Sequence, residues 1–207
     1  MKVNDLLTLT VTDVVLGGKA LARHEGRVVF VDRGLPGDVI EARVTRLRRN
    51  LAEAGLGALI QGSPDRVSAP CPHVQQCGGC RFQDLDYAAQ CRMKERQVRE
   101  TLAHLGGIAE PPVRAITPAP ATFHYRNKME FSFHPTADGT PVLGLHERGT
   151  FDKVFALQTC LLPSPLTVEI VRLTQRVAAE RKWPAYHPRH HGGVVRYLTI
   201  RHLPTTD

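Results

Sequence analysis

The sequence predicts a mainly β chain in two parts: a small β-barrel over residues 1–62, then an α+β domain over residues 63–207. Three observations point there. Short apolar runs broken by turn residues, roughly every eight to twelve positions, fill the first part with no helical period among them. Apolar residues then return at helical spacing after residue 84 and again after residue 164. A dense cysteine segment, Cys71 to Cys80, separates the two regimes.

In order along the chain, Thr8, Thr10 and Thr12 alternate with Leu9 and Val11, as in a half-buried strand. Gly17-Gly18 makes a turn, and Arg27 to Val31 is a short apolar strand. Leu35-Pro36-Gly37-Asp38 is a strong turn, followed by strands at 39–44 and 54–60. Ser63-Pro64-Asp65 marks the boundary. A helix is expected from about 85 to 105, with Asp84 as N-cap, Gly106-Gly107 as stop and an apolar stripe of Leu85, Ala88, Cys91, Val98, Leu102 and Leu105. Strands are expected at 113–116, 127–134, 141–145 and 153–157. Ser164-Pro165 opens a second helix, proline at its first position, with Leu166, Ile170, Leu173 and Val177 as stripe and Arg172, Arg176, Arg181 and Lys182 off it. An alternating strand at 194–201 closes the pattern.

Composition narrows the function. The chain has 207 residues with 27 Lys+Arg against 20 Asp+Glu, a net +7, of which +4 falls in residues 161–207. Arg43, Arg46, Arg48 and Arg49 crowd one short stretch. Arginine suits phosphate because its guanidinium gives bidentate hydrogen bonds. No apolar run approaches the ~18–20 residues of a membrane span. The start, Met1-Lys2-Val3-Asn4-Asp5, lacks the apolar core of a secretory signal, so a cytoplasmic protein is expected. In that setting five cysteines read as metal ligands or free thiols, not disulfides.

Cys71, Cys77 and Cys80 lie in a C-x5-C-x2-C pattern with Gly78-Gly79 inside it. Thiolates this close repel unless a metal or cluster shares their charge, and the glycines let the backbone curl around such a group. A fourth ligand is needed, and Cys91, Cys160 and His73 are the chemical candidates. Cys91 falls on the first helix's apolar stripe and reads as a small core residue. Zinc prefers paired C-x2-C knuckles, whereas an iron–sulfur cluster takes one cysteine per corner and tolerates this spacing. Both remain open on spacing.

Several stretches resemble the bacterial RNA uracil-5-methyltransferases that carry an N-terminal TRAM domain. Gly17-Gly18-Lys19-Ala20, Val28-Val29-Phe30-Val31 and Leu35-Pro36-Gly37-Asp38 are similar to the OB-like TRAM barrel. Cys71 with Cys77-Gly78-Gly79-Cys80, Tyr87 to Lys94, Phe123-His124-Tyr125-Arg126-Asn127-Lys128, Leu143-Gly144-Leu145-His146 and the 191–201 strand are similar to the family's segments downstream of the barrel, most closely in the subgroup that methylates 23S ribosomal RNA. The resemblance implies a [4Fe–4S] cluster on Cys71, Cys77, Cys80 and Cys160. Tying residue 160 to residues 71–80 closes a long loop, so its expected role is structural more than redox-active. The resemblance also implies methyl transfer from S-adenosylmethionine to carbon 5 of a flipped-out uridine, through cysteine addition at carbon 6 and a carboxylate base. The family's glycine-rich S-adenosylmethionine loop and its Asp-Pro-Pro-Arg cysteine context are not found here. No catalytic or S-adenosylmethionine-binding residue is therefore assigned, and the α/β catalytic domain is expected outside these residues. Family architecture further implies that the 83–107 helix packs partly on that domain.

RNA contact is expected at Arg126 and Lys128, and at Arg46, Arg48 and Arg49. Phe123 and Tyr125 are suited to stacking on a base, although alternate strand positions of this kind usually face a core. The expectation is a cytoplasmic, monomeric, RNA-binding and cluster-binding part of a methyltransferase. The alternatives are a stand-alone RNA-binding module or a zinc-stabilised nucleic-acid binder.

Overall fold

The computed structural model describes residues 1–187 and 189–203. Five strands form a closed barrel: β1 (Leu6–Val14), β2 (Ala20–His24), β3 (Arg27–Val31), β4 (Val39–Leu47) and β5 (Leu51–Gln61). Their order around the barrel is β1-β2-β3-β5-β4. All pairings are antiparallel except β3 with β5, and β4 closes on β1 with Leu9 opposite Ile40. Period-two alternation sends Leu7, Leu9 and Val11 inward with Ala20, Ala22, Val29, Val31, Ile40, Ala42 and Val44. The many alanines fit the narrow interior of a five-stranded barrel.

The chain divides into two compact units whose segments interleave: residues 1–68 with 81–118, and 69–80 with 119–207. The single boundary expected at residue 63 is thus replaced by three crossings, and helix α1 (Tyr87–His104) belongs with the barrel. Asp86, not Asp84, caps α1 by accepting the Ala89 N–H. Asp84 is instead buried and paired with Arg66 and Arg33. The α1 face that packs is Ala89 and Met93, joining Val14, Leu35 and Leu85. Cys91 is half-buried and Ala88, Val98, Leu102 and Leu105 are exposed, so the expected stripe is displaced. Residues 113–116 form no strand. Their backbone is held by α1 side chains, with Arg99 donating to Val113 O at 3.0 Å and Glu95 accepting from Ile116 N–H at 3.0 Å.

The second unit is a four-stranded antiparallel sheet in the order β8-β7-β6-β9, from β6 (Lys128–Pro135), β7 (Pro141–His146), β8 (Val154–Ala156) and β9 (Tyr197–Arg201). Helix α2 (Pro165–Glu180) is capped by Ser164 and packs with β7. Its buried positions are Thr167, Val168, Val171 and Ala178, while Leu166 and Leu173 of the expected stripe are exposed. Gln175 explains the shift in phase: its side-chain amide bridges to Pro141 O and Leu143 N–H on β7. Met129, Phe131, Phe133, Leu143, Phe155 and Ile200 fill the core beneath. Among the described residues no helix is long and apolar enough to cross a membrane.

Candidate metal centre and nucleic-acid interface

The cysteine loop is built by short turns. Val74 N–H donates to Cys71 O at 3.2 Å, and Cys77 N–H to His73 O at 2.7 Å. The loop docks on the end of β7 and the segment after it: Gly78 N–H reaches His146 O at 3.1 Å and Arg148 N–H reaches Gln76 O at 2.8 Å. Arg148 ties the loop together. Its Nη2 donates to Val74 O at 3.0 Å and to Cys77 O and Cys80 O, each at 2.9 Å. That places a guanidinium charge against the stretch carrying three thiols.

His73 joins the loop to the other cysteine-bearing segment. Its ring packs on Phe155 at 4.9 Å, and its Nε2 accepts the Gln158 N–H at 3.2 Å. With that nitrogen used, and with its pKa lowered by burial, His73 is a neutral spacer in this geometry. Cys160 lies two residues further along. Cys77 and Cys160 are buried, Cys71 and Cys80 are half-buried, and no cysteine forms a disulfide. Burial pushes the Cys160 thiol up to about 11, and Cys80, Cys71 and Cys77 add like-charge repulsion to it. Cys71, Cys77 and Cys80 therefore lie within electrostatic reach of Cys160. Cys91, in the barrel unit, is not among them. Gly79 N–H donates to Cys77 Sγ at 3.3 Å. Among the described residues no three His, Cys, Asp or Glu side chains converge closely enough to hold one metal ion.

The segment after Cys160 also places Arg126. His124 N–H donates to Leu161 O at 2.8 Å, His124 Nδ1 lies 2.8 Å from Pro163 O, and Arg126 N–H donates to Leu162 O at 3.0 Å. Arg126 is exposed, as is Lys128 at the start of β6. Tyr125 is exposed because strand pairing begins only at Lys128, so the core position expected for it does not arise. In the barrel unit, Arg46 on β4 and Arg48 and Arg49 in the β4–β5 turn are all exposed. Among the described residues none of these three forms an ion pair. The RNA candidates thus occupy both units. The roles of Arg148 and His73 were not legible in sequence, because each acts through partners some 70 to 85 positions away.

The barrel is decided by its family match, which runs over residues 2–56. Those residues are a TRAM domain. Beyond the TRAM barrel, the chain is similar to proteins named "uncharacterized RNA methyltransferase". One from Gloeobacter violaceus is 36% identical over 196 residues, covering 94% of this chain and 43% of the relative. Another, from Nitratidesulfovibrio vulgaris, is 40% identical over 197 residues, covering 94% and 42%. The chain therefore spans less than half the length of these relatives. Among solved structures, the tRNA (uracil-54, C5)-methyltransferase of Pyrococcus abyssi, in complex with S-adenosylhomocysteine, superposes with a TM-score of 0.69 at 22% identity, over 96% of this chain and 44% of that one. At that identity the likeness is one of fold, and it extends across the TRAM barrel and the second unit alike.

Proposed function

We propose that this chain is the RNA-engaging and cluster-bearing part of an S-adenosylmethionine-dependent methyltransferase that acts on carbon 5 of a uridine in 23S ribosomal RNA. The observation that carries the reading is the match of nearly the whole chain to less than half of proteins named RNA methyltransferases, beginning with a TRAM domain. In this reading the methyl transfer is performed by a part of such proteins with which this chain does not align. The protein works as a cytoplasmic monomer.

Cys71, Cys77, Cys80 and Cys160 hold a [4Fe–4S] cluster. A cubane takes one thiolate per corner, so its ligands need not meet at a single point. When bound, the cluster supplies cationic iron that lets four mutually repelling thiolates coexist. The chain's own residues do the rest. Arg148 gathers the carbonyls of the loop, His73 holds the 158–160 segment against it, and the 161–163 segment fixes Arg126. The cluster is thereby a clip whose closure positions an RNA-contact residue. Arg126, Lys128, Arg46, Arg48 and Arg49 hold phosphates.

Three measurements on the purified chain test this together. Reconstitution with iron and sulfide gives a brown protein with absorption near ~400 nm. A ribosomal RNA fragment binds with an affinity that falls as salt rises. Incubation with labelled S-adenosylmethionine and RNA transfers no methyl group. A colourless protein with stoichiometric zinc overturns the cluster, absence of RNA binding overturns the RNA role, and turnover by this chain overturns the division of labour.

A further inference from the structure

The sheet of the second unit has one face in the core, and on β6 and β9 the other face is largely open, except at Ser132, which is buried and bonded to His146. Met129 opposite Ile200 and Phe131 opposite Leu198 point inward. The alternate positions place Lys128 opposite Arg201, Glu130 opposite Thr199 and Ser132 opposite Tyr197 on the other face. Lys128, Tyr197, Thr199 and Arg201 are exposed there. Like charges directly opposite across a strand pair are destabilising. Among the described residues neither Lys128 nor Arg201 has an ion-pair partner. Glu130, the acidic neighbour on this face, accepts a hydrogen bond from Thr199 at 3.3 Å. At the other end of β9 the Arg196 guanidinium lies over the Tyr186 ring at 4.5 Å and over the Tyr197 ring at 4.9 Å. Tyr197 nevertheless keeps 51% of its surface exposed.

We infer that this open face binds a single-stranded stretch of RNA, with one base stacked on Tyr197 and a neighbouring phosphate held between Lys128 and Arg201. The inference rests on the RNA reading above and adds Tyr197, Arg196 and Arg201 to it. An aromatic ring backed by a guanidinium is a stacking platform that accepts any base, because every base has a π-face. The phosphate relieves the repulsion across β6 and β9. The four residue steps from Tyr197 to Arg201 span about 13 Å of strand, room for the stacked base and the backbone that leaves it. An unpaired strand is required, since the bases of a duplex are stacked on one another and cannot reach the ring.

The test uses the full chain and a single-stranded RNA oligonucleotide carrying 2-aminopurine, with a duplex of the same sequence beside it. Tyr197→Ala weakens single-strand binding by about tenfold and abolishes quenching of the 2-aminopurine, the size expected for one lost stack. Tyr197→Phe binds and quenches as the unmodified chain does. Arg201→Gln lowers the salt slope by about 0.7, one phosphate's share on a single strand. Circular dichroism confirms that each exposed substitution leaves the fold intact. If the unmodified chain binds RNA but Tyr197→Ala and Arg201→Gln bind equally well, the face belongs to another occupant, such as a protein segment, and the inference is overturned while RNA binding stands. If the unmodified chain binds neither oligonucleotide, the RNA reading fails and this inference with it.

Discussion

Replacing Arg66 with methionine should unlock the barrel unit. Asp38 has no exposed surface, yet its carboxylate is fully engaged. It accepts N–H groups from Leu35 at 2.6 Å and Ser63 at 2.9 Å, and a two-pronged contact from Arg66 at 2.8 and 2.7 Å. The same guanidinium reaches Asp84 at 2.7 Å. Burial alone would raise the Asp38 pKa. The Arg66 hydrogen bond, the two backbone donors and the Arg66 charge outweigh it and hold the carboxyl below its ordinary range. Arg66→Met keeps most of the side chain's volume but leaves a buried carboxylate without its cation, a loss of roughly 3–5 kcal/mol. In hydrogen-exchange terms the opening equilibrium of strands β1 to β5 rises at least a hundredfold or so.

The pH dependence should change sign as well. In the unmodified chain the lowered Asp38 pKa contributes stability that is complete above the unfolded value near ~4 and is lost as pH falls through the folded one. Without Arg66, burial dominates and the folded pKa rises above the unfolded value. Acidification from neutral toward pH ~4 then stabilises the variant. Peptide-resolved exchange by mass spectrometry at several pH values reads both effects. A change under about fivefold, the worth of an exposed ion pair, with no reversal in pH dependence, would refute the reasoning.

Arg148→Met should shorten the life of a reconstituted cluster against a chelator by roughly 10–100-fold, read from the decay of its absorption, since it removes what organises the ligand loop. Cys77→Ser should lose iron and also solubility, whereas Cys91→Ser should keep full iron content; a well-folded, RNA-competent Cys77→Ser protein without iron would show that the cluster is not a structural clip. Replacing Arg46, Arg48 and Arg49 together with alanine should weaken binding of all RNA sequences alike and flatten the salt dependence by about two to three phosphates' worth. Alanine at Gly144 places its Cβ 1.8 Å from Phe155 O and should unfold the second unit, seen as a shift of Trp183 fluorescence at much lower urea.

Much of the barrel is legible because it depends on local rules. Thr8 to Thr12 alternate, and turns at Gly17-Gly18 and Leu35 to Asp38 set the strand lengths. The helices are less legible. In α2 the eye is drawn to Leu166 and Leu173, but the buried face is set by Gln175 bonding to β7 and by small residues such as Thr167 and Ala178 that permit close approach. In α1 the stripe competes with Ala89 and Met93, which pack on Val14 and Leu35, far away in sequence, as well as on nearby Leu85. At the candidate site the spacing of Cys71, Cys77 and Cys80 is a local signal. Choosing Cys160 over Cys91 and His73 required the family resemblance at the sequence level. Arg148, which organises the loop, announces itself only in three dimensions.

The interleaving of the two units also sets a timetable. The loop from Ala69 to Cys80 is an excursion out of the barrel unit, and the chain returns to that unit before completing what the loop docks on. During synthesis Cys71, Cys77 and Cys80 leave the ribosome eighty residues ahead of Cys160. At ordinary elongation rates that is a delay on the order of ten seconds. For most of that interval the nascent chain carries the three thiols with neither His146 nor Arg148 yet made to shape them. Any group shared by all four cysteines is therefore completed late, after the barrel strands have been made, and the waiting loop is the step most exposed to oxidation or to the wrong metal.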